Sequence, residues 1–126
     1  MDMAHKKILI VDDDDFLLDM YAMKFREAGF LVDIAKNGEE ALGRAKEVQP
    51  DIMLLDVVMP KMDGFEVLRL IKEQNIVPNA LIFILSNLGQ KEDIERGLKL
   101  GAKDYIVKAQ FTPSEVVAKV KSFLSG

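Results

Sequence analysis

The chain reads as an α/β domain in which a five-stranded parallel sheet is covered by helices on both faces. Two observations predict this. Short apolar runs alternate five times with longer segments whose apolar residues recur at helical spacing. Most of those runs are hydrophobic along their whole length, which is the pattern of strands buried on both sides. Alternation of this kind makes βαβ units with right-handed crossovers, and hence parallel strands.

The first run, KILIVD, ends at Asp12. Leu18, Tyr21, Ala22 and Phe25 then stand at i, i+3, i+4 and i+7, one face of a helix that Gly29 can stop. Asp14 and Asp15 precede that face and suit its N-terminus, capping it and complementing its dipole. LVDIA is a second, weaker strand. Asn37-Gly38 makes a turn, and Ala41, Leu42, Ala45 and Val48 mark a helix that ends before Pro50. DIMLLD is the third strand, and the loop VVMPKMDG follows, with Asp63 as N-cap of a helix carrying Val67, Leu70 and Ile71. ALIFILS is the fourth strand and the most hydrophobic. Ile94, Leu98 and Gly101 outline a short helix with a glycine stop. DYIVKA is the fifth strand. Val116, Val117, Val120, Phe123 and Leu124 line a last helix that begins near Thr112-Pro113.

At 126 residues, 49% of them hydrophobic and 30% charged, the composition is that of one globular domain. A net charge of −4 argues against direct nucleic-acid binding. The absence of cysteine excludes disulfides, thiolate metal sites and cysteine nucleophiles. No apolar run is long enough to span a bilayer and nothing resembles a signal peptide, so a cytoplasmic protein without membrane contact is expected. His5, ahead of the first strand, is read as solvated, and the methionines as core filler.

In open parallel sheets, ligands bind beyond the carboxyl ends of the strands, at the point where strand order reverses. Asp12 and Asp13 close the first strand, Asp56 the third, Ser86 the fourth and Lys108 the fifth, so these five side chains should converge on one edge. The run Asp12 to Asp15 sets neighbouring anions against each other and calls for a cation. Carboxylates without histidine or cysteine are a hard, all-oxygen ligand set that suits Mg²⁺, with Asp13 and Asp56 as direct ligands and Asp12 as a ligand through water. The Lys108 ammonium and the Ser86 hydroxyl complete a cradle for a phosphoryl group. Asp56 can itself be the nucleophile, because a carboxylate can form an acyl phosphate while a metal offsets the accumulating charge. Each residue alone has a plainer reading: a cap for Asp12 and Asp13, a solvated strand end for Lys108, a turn hydroxyl for Ser86, a strand aromatic for Tyr105. The combination favours the cradle.

In that order, ILIVDDD, IMLLDVVMPKMDGFEVL, ALIFILSN and GAKDYIVKA resemble the receiver domain of two-component response regulators over nearly the whole chain. The resemblance implies a flavodoxin-like, doubly wound (βα)5 fold of strand order 2-1-3-4-5, and a single receiver domain over residues 1–126, stand-alone or part of a longer protein. It implies a phosphoacceptor switch, not an enzyme, that promotes its own phosphorylation and dephosphorylation with Mg²⁺. Asp56 takes a phosphoryl group from the phosphohistidine of a sensor histidine kinase or histidine phosphotransfer protein. Asp12 and Asp13 match the acidic pair, and the backbone carbonyl of Val58 is a further metal ligand beside Asp56. Ser86 matches the switch hydroxyl, Tyr105 the switch aromatic and Lys108 the family's lysine. After phosphorylation Ser86 is drawn to the phosphoryl group and Tyr105 turns inward. The face made by the fourth helix, fifth strand and fifth helix then binds a downstream protein, the chain acting as a monomer or a phosphorylation-induced dimer.

The chain departs from the family pattern twice. Receivers usually carry Lys-Pro, often cis, where this chain has Lys108-Ala109; a cis bond before alanine costs roughly 3 kcal/mol, so the loop either bears that cost or takes another path. Val58 and Leu88 stand at the two variable positions that flank the attacking water, and both are apolar, which implies slow self-dephosphorylation.

Two other readings use part of the pattern. Phosphohydrolases with an aspartyl nucleophile also open on an apolar strand and Asp-x-Asp, satisfied by Asp12-Asp13-Asp14, but they need an acidic pair after the lysine, where Glu115 stands alone. The chain also lacks room for a substrate-selecting cap. A flavin-binding module of this architecture needs a hydroxyl- and glycine-rich loop after the first strand, and DDDDF would repel a cofactor phosphate.

Overall fold

The computed structural model describes residues 6–124, so His5 lies outside the described residues. The elements run β1 (Lys7–Val11), α1 (Asp15–Glu27), β2 (Leu31–Ala35), α2 (Gly38–Val48), β3 (Ile52–Leu55), α3 (Gly64–Glu73), β4 (Leu81–Ser86), α4 (Lys91–Lys99), β5 (Asp104–Val107) and α5 (Pro113–Ser122). The strands form one sheet in the order β2-β1-β3-β4-β5, every neighbouring pair parallel. This is the flavodoxin-like arrangement that the family resemblance implied.

Two-sided burial explains the apolar runs. Leu9, Val11, Met53, Leu55, Ile82 and Ile84 pack into one core beneath α2 and α3. Ile8, Ile10, Ile52, Leu54, Phe83 and Leu85 pack into the other, with Leu18, Tyr21 and Phe25 of α1 and Val116, Val117 and Val120 of α5. Neighbouring strand residues therefore point to opposite cores. β2 is an edge strand and is only partly buried, which accounts for its weaker pattern.

Helix starts follow the polar residues that precede them. Asp14 accepts from the Leu17 N–H and Asp63 from the Glu66 N–H, each a side-chain N-cap. Thr112 and Glu115 form a reciprocal capping box, and Pro113 takes the first helical position of α5. Gly29 and Gly101 follow α1 and α4 with φ of 98° and 111°, left-handed conformations open to glycine. α2 ends differently. Gln49, not glycine, takes the left-handed position at φ 47°, and its side-chain amide donates to the carbonyls of Ala45 and Ile76.

Among the described residues no peptide bond is cis. Lys108–Gln110 forms a short 3₁₀ turn, with the Phe111 N–H donating to the Lys108 carbonyl. Of the two paths open to this loop, the chain takes the one without the cis penalty.

Register places the strand ends. Val11 pairs with Leu55, so Asp12 and Asp56 follow in step, and the Asp56 N–H continues the ladder onto the Val11 carbonyl at 3.0 Å. Ser86 pairs with Val107, which puts Lys108 one residue beyond. No helix of the described residues is long and apolar enough to cross a membrane.

Candidate functional site

Asp12, Asp56 and Ser86 are buried at the carboxyl edge of the sheet, where polar groups need partners. Oxygen atoms from Asp12, Asp13 and Asp56 all lie within 4.8 Å of one another, with Asp13 on the exposed side. One Asp12 oxygen accepts from the Asp14 N–H at 2.9 Å, the other from Lys108 Nζ at 2.6 Å. One Asp56 oxygen accepts from the Val57 N–H at 2.8 Å, the other from Lys108 Nζ at 3.2 Å. The Lys108 side chain is 8% exposed, so both ion pairs form largely out of water.

Burial pushes the Asp56 carboxyl above the usual carboxylate range and the Asp12 charge adds to this, while Lys108 and Ser86 act in the opposite sense. For Lys108 burial is the largest influence and favours the neutral amine, yet Asp12 and Asp56 together outweigh it and hold the ammonium above its ordinary value. Three carboxylates against one ammonium leave two formal negative charges. A divalent cation balances that count, and the all-oxygen donor set fits magnesium.

The rest of the "DDDD" run has a structural role. Asp14 caps α1, and Asp15 pairs with Lys36 at 3.0 Å. Gly64 matters more than its place in the loop suggested. A Cβ there would stand 2.1 Å from the Asp56 carbonyl oxygen, so only glycine lets α3 begin against the Asp56 backbone. The Gly64 N–H also donates to the Val57 carbonyl at 2.8 Å, folding the loop back on itself.

Ser86 ends β4 with no exposed surface, and its Oγ accepts from the Leu88 N–H at 3.2 Å. Tyr105 is buried on β5 and its hydroxyl donates to the Leu88 carbonyl. Burial, with Asp93 next, pushes its phenol up to about 12. Ser86 and Tyr105 are thus joined through the two backbone groups of Leu88, a link no side-chain identity announces. α4 packs closely against Tyr105 and Ile84: a Cβ on Gly97 would lie 2.9 Å from the Tyr105 ring and 2.5 Å from Ile84 Cδ1. Val58, at 61% exposure, lies at the surface beyond Asp56, and Leu88 is half-buried beside the core. Tyr21 is a residue that periodicity assigned only to the core; the charges of Lys108, Asp12 and Asp56 all act on its phenol.

Comparison with known proteins agrees with this architecture. Residues 8–121 match the response regulator receiver domain family. The chain is 39% identical over 120 residues to the alkaline phosphatase synthesis transcriptional regulatory protein PhoP of Bacillus subtilis, which covers 95% of this chain and 49% of PhoP. It is 38% identical over 124 residues to the DNA-binding response regulator MtrA of Mycobacterium tuberculosis, covering 98% of this chain and 53% of MtrA. The chain therefore spans about half the length of these curated relatives. Among solved structures it is similar to a chain of the CheX–CheY–BeF3–Mg²⁺ complex from Borrelia burgdorferi, at TM-score 0.87 and 35% identity, covering 96% of this chain and 90% of that one.

Proposed function

Because the chain belongs to the response regulator receiver domain family of two-component signalling, we propose that it takes a phosphoryl group onto Asp56 from the phosphohistidine of a sensor histidine kinase or histidine phosphotransfer protein. The observation that carries this is the meeting of Asp12, Asp13 and Asp56 within 4.8 Å, with Lys108 Nζ bonded to two of them.

Asp13, Asp56, Asp12 and the Val58 carbonyl are the groups that would hold Mg²⁺, whose contribution is to offset charge on the phosphoryl oxygens. An Asp56 oxygen attacks phosphorus; the O–P bond forms as the P–N bond to the donor imidazole breaks, and the imidazole leaves with the bonding pair. Lys108 turns from Asp56 to a phosphoryl oxygen, and the Ser86 hydroxyl donates to another. Ser86 then gives up its bond from Leu88, and since Tyr105 holds the carbonyl of that residue, the change passes to the ring. The affected surface is the α4–β5–α5 face, where Leu98 and Phe123 are exposed. It meets a downstream protein, with the chain acting as a monomer or as a dimer formed on phosphorylation, in the cytoplasm.

The chain is a phosphoacceptor switch in this account and not a turnover enzyme. Its net charge of −4 supports a protein partner over nucleic acid for its own surface. Neither Val58 nor Leu88 can orient an attacking water with its side chain, so the acyl phosphate is long-lived.

Treatment with a small phosphodonor and Mg²⁺, followed by intact-mass measurement, tests the proposal. Wild type gains one phosphoryl group, and Asp56→Asn or a chelator prevents it. Equal labelling of both proteins, or of neither, contradicts it.

A further inference from the structure

Tyr21 lies in α1, packed into the core beneath that helix and only 3% exposed. A buried tyrosine normally finds a partner for its hydroxyl, and phenylalanine would fill the same core space without that requirement. Among the described residues the Tyr21 hydroxyl makes no hydrogen bond. It is not sealed off, because no buried side-chain oxygen or nitrogen among the described residues lacks a partner. Tyr21 instead lines a crevice of about 280 Å³ that Lys108 and Asn87 also line, with Leu17, Met20 and Phe111 as apolar walls. A water needs roughly 30 Å³ and two to four polar partners, and this crevice supplies both.

Lys108 has a donor to spare. Its ammonium carries three N–H groups, and Asp12 and Asp56 accept from it. Asp12 also belongs to the carboxylate cluster that suits a metal, so two cations compete for it. With Asp12 engaged elsewhere, an ammonium on a flexible four-carbon stem keeps one anchor and loses its aim.

We propose that Tyr21 is a positioning residue for Lys108: through a water in the crevice, its hydroxyl holds the third ammonium N–H and keeps Nζ directed at the group on Asp56. This rests on the phosphoacceptor reading of Asp56. Burial is the largest influence on the Tyr21 phenol, and the charge of Lys108, which lines the same crevice, comes next, ahead of either carboxylate.

Tyr21→Phe removes the hydroxyl and leaves the packing. Binding of beryllofluoride, a phosphoryl mimic, in Mg²⁺ is followed by ¹⁹F NMR, and the Lys108 ammonium by its ¹⁵N signal. Tyr21→Phe should bind the mimic about fivefold more weakly, the scale of one net hydrogen bond, with a displaced Lys108 signal and an unchanged thermal midpoint. Affinity equal to wild type overturns the proposal. So does weaker binding with the Lys108 signal unmoved, which assigns the tyrosine to packing. If wild type itself does not bind the mimic, the phosphoacceptor reading fails, and the role of Tyr21 with it.

Discussion

Asp56 is held in a compromise between burial and its partners. Its carboxyl titrates above the ordinary value because burial outweighs Lys108 and Ser86. A folded-state value above the unfolded one means that ionised Asp56 opposes folding. Stability is fully retained below the unfolded value near 3.8 and is lost as pH rises through the folded value. Asp56→Asn should therefore raise the thermal midpoint at pH 7 by roughly a few degrees, and the gain should vanish below about pH 4. A midpoint that falls at pH 7 contradicts this balance. Val58 and Leu88 set a second expectation at the same scale: in Mg²⁺ buffer the acyl phosphate of wild type decays slowly, and Val58→Asn or Leu88→Glu, whose side chains can orient a water, should shorten its lifetime. Substantial slowing by either substitution would mean that the native side chains assist the attacking water. The site's side chains were legible because carboxylates, an amine and a hydroxyl at strand ends have a chemical meaning. The Tyr21 hydroxyl was not, since helical spacing reports that a residue is buried but not what its polar tip meets.

At the scale of elements, close approach decides more than propensity. Gly97 brings α4 within reach of the Tyr105 ring, while Gly43 on α2 has nothing within 4 Å of where a Cβ would stand. Gly97→Val should cost about 1–3 kcal/mol in chemical denaturation and disturb the near-ultraviolet signal of Tyr105. Gly43→Ala should stabilise by up to about 1 kcal/mol, the difference in helix propensity. Equal effects at the two positions would remove the argument for packing at Gly97. The starts of α1, α3 and α5 could be read in advance because Asp14, Asp63 and Thr112 carry capping chemistry in their side chains. The end of α2 and the turn after Lys108 could not. Gln49 takes a left-handed position that residue type does not signal, and Lys108-Ala109 left two backbone paths open. The Leu88 bridge between Ser86 and Tyr105 is made of backbone groups that every residue has.

For the whole molecule, the sheet's register does the assembling. β1 and β3 are neighbours although β2 lies between them in the chain, and their paired ends deliver Asp12 and Asp56 to one place. Apolar runs in the sequence predict parallel, doubly covered strands, but strand order depends on which pairs form across the sheet. Periodicity does not carry that information, and it was the family's motif order that implied it. One chemical measurement tests the resulting account directly. After treatment with a phosphodonor and Mg²⁺, borohydride reduces an aspartyl phosphate to homoserine, and peptide mass mapping locates the altered residue. Homoserine at position 56 and nowhere else is the expected result; homoserine at Asp12 or Asp13, or none in a protein that has taken up phosphate, contradicts the assignment.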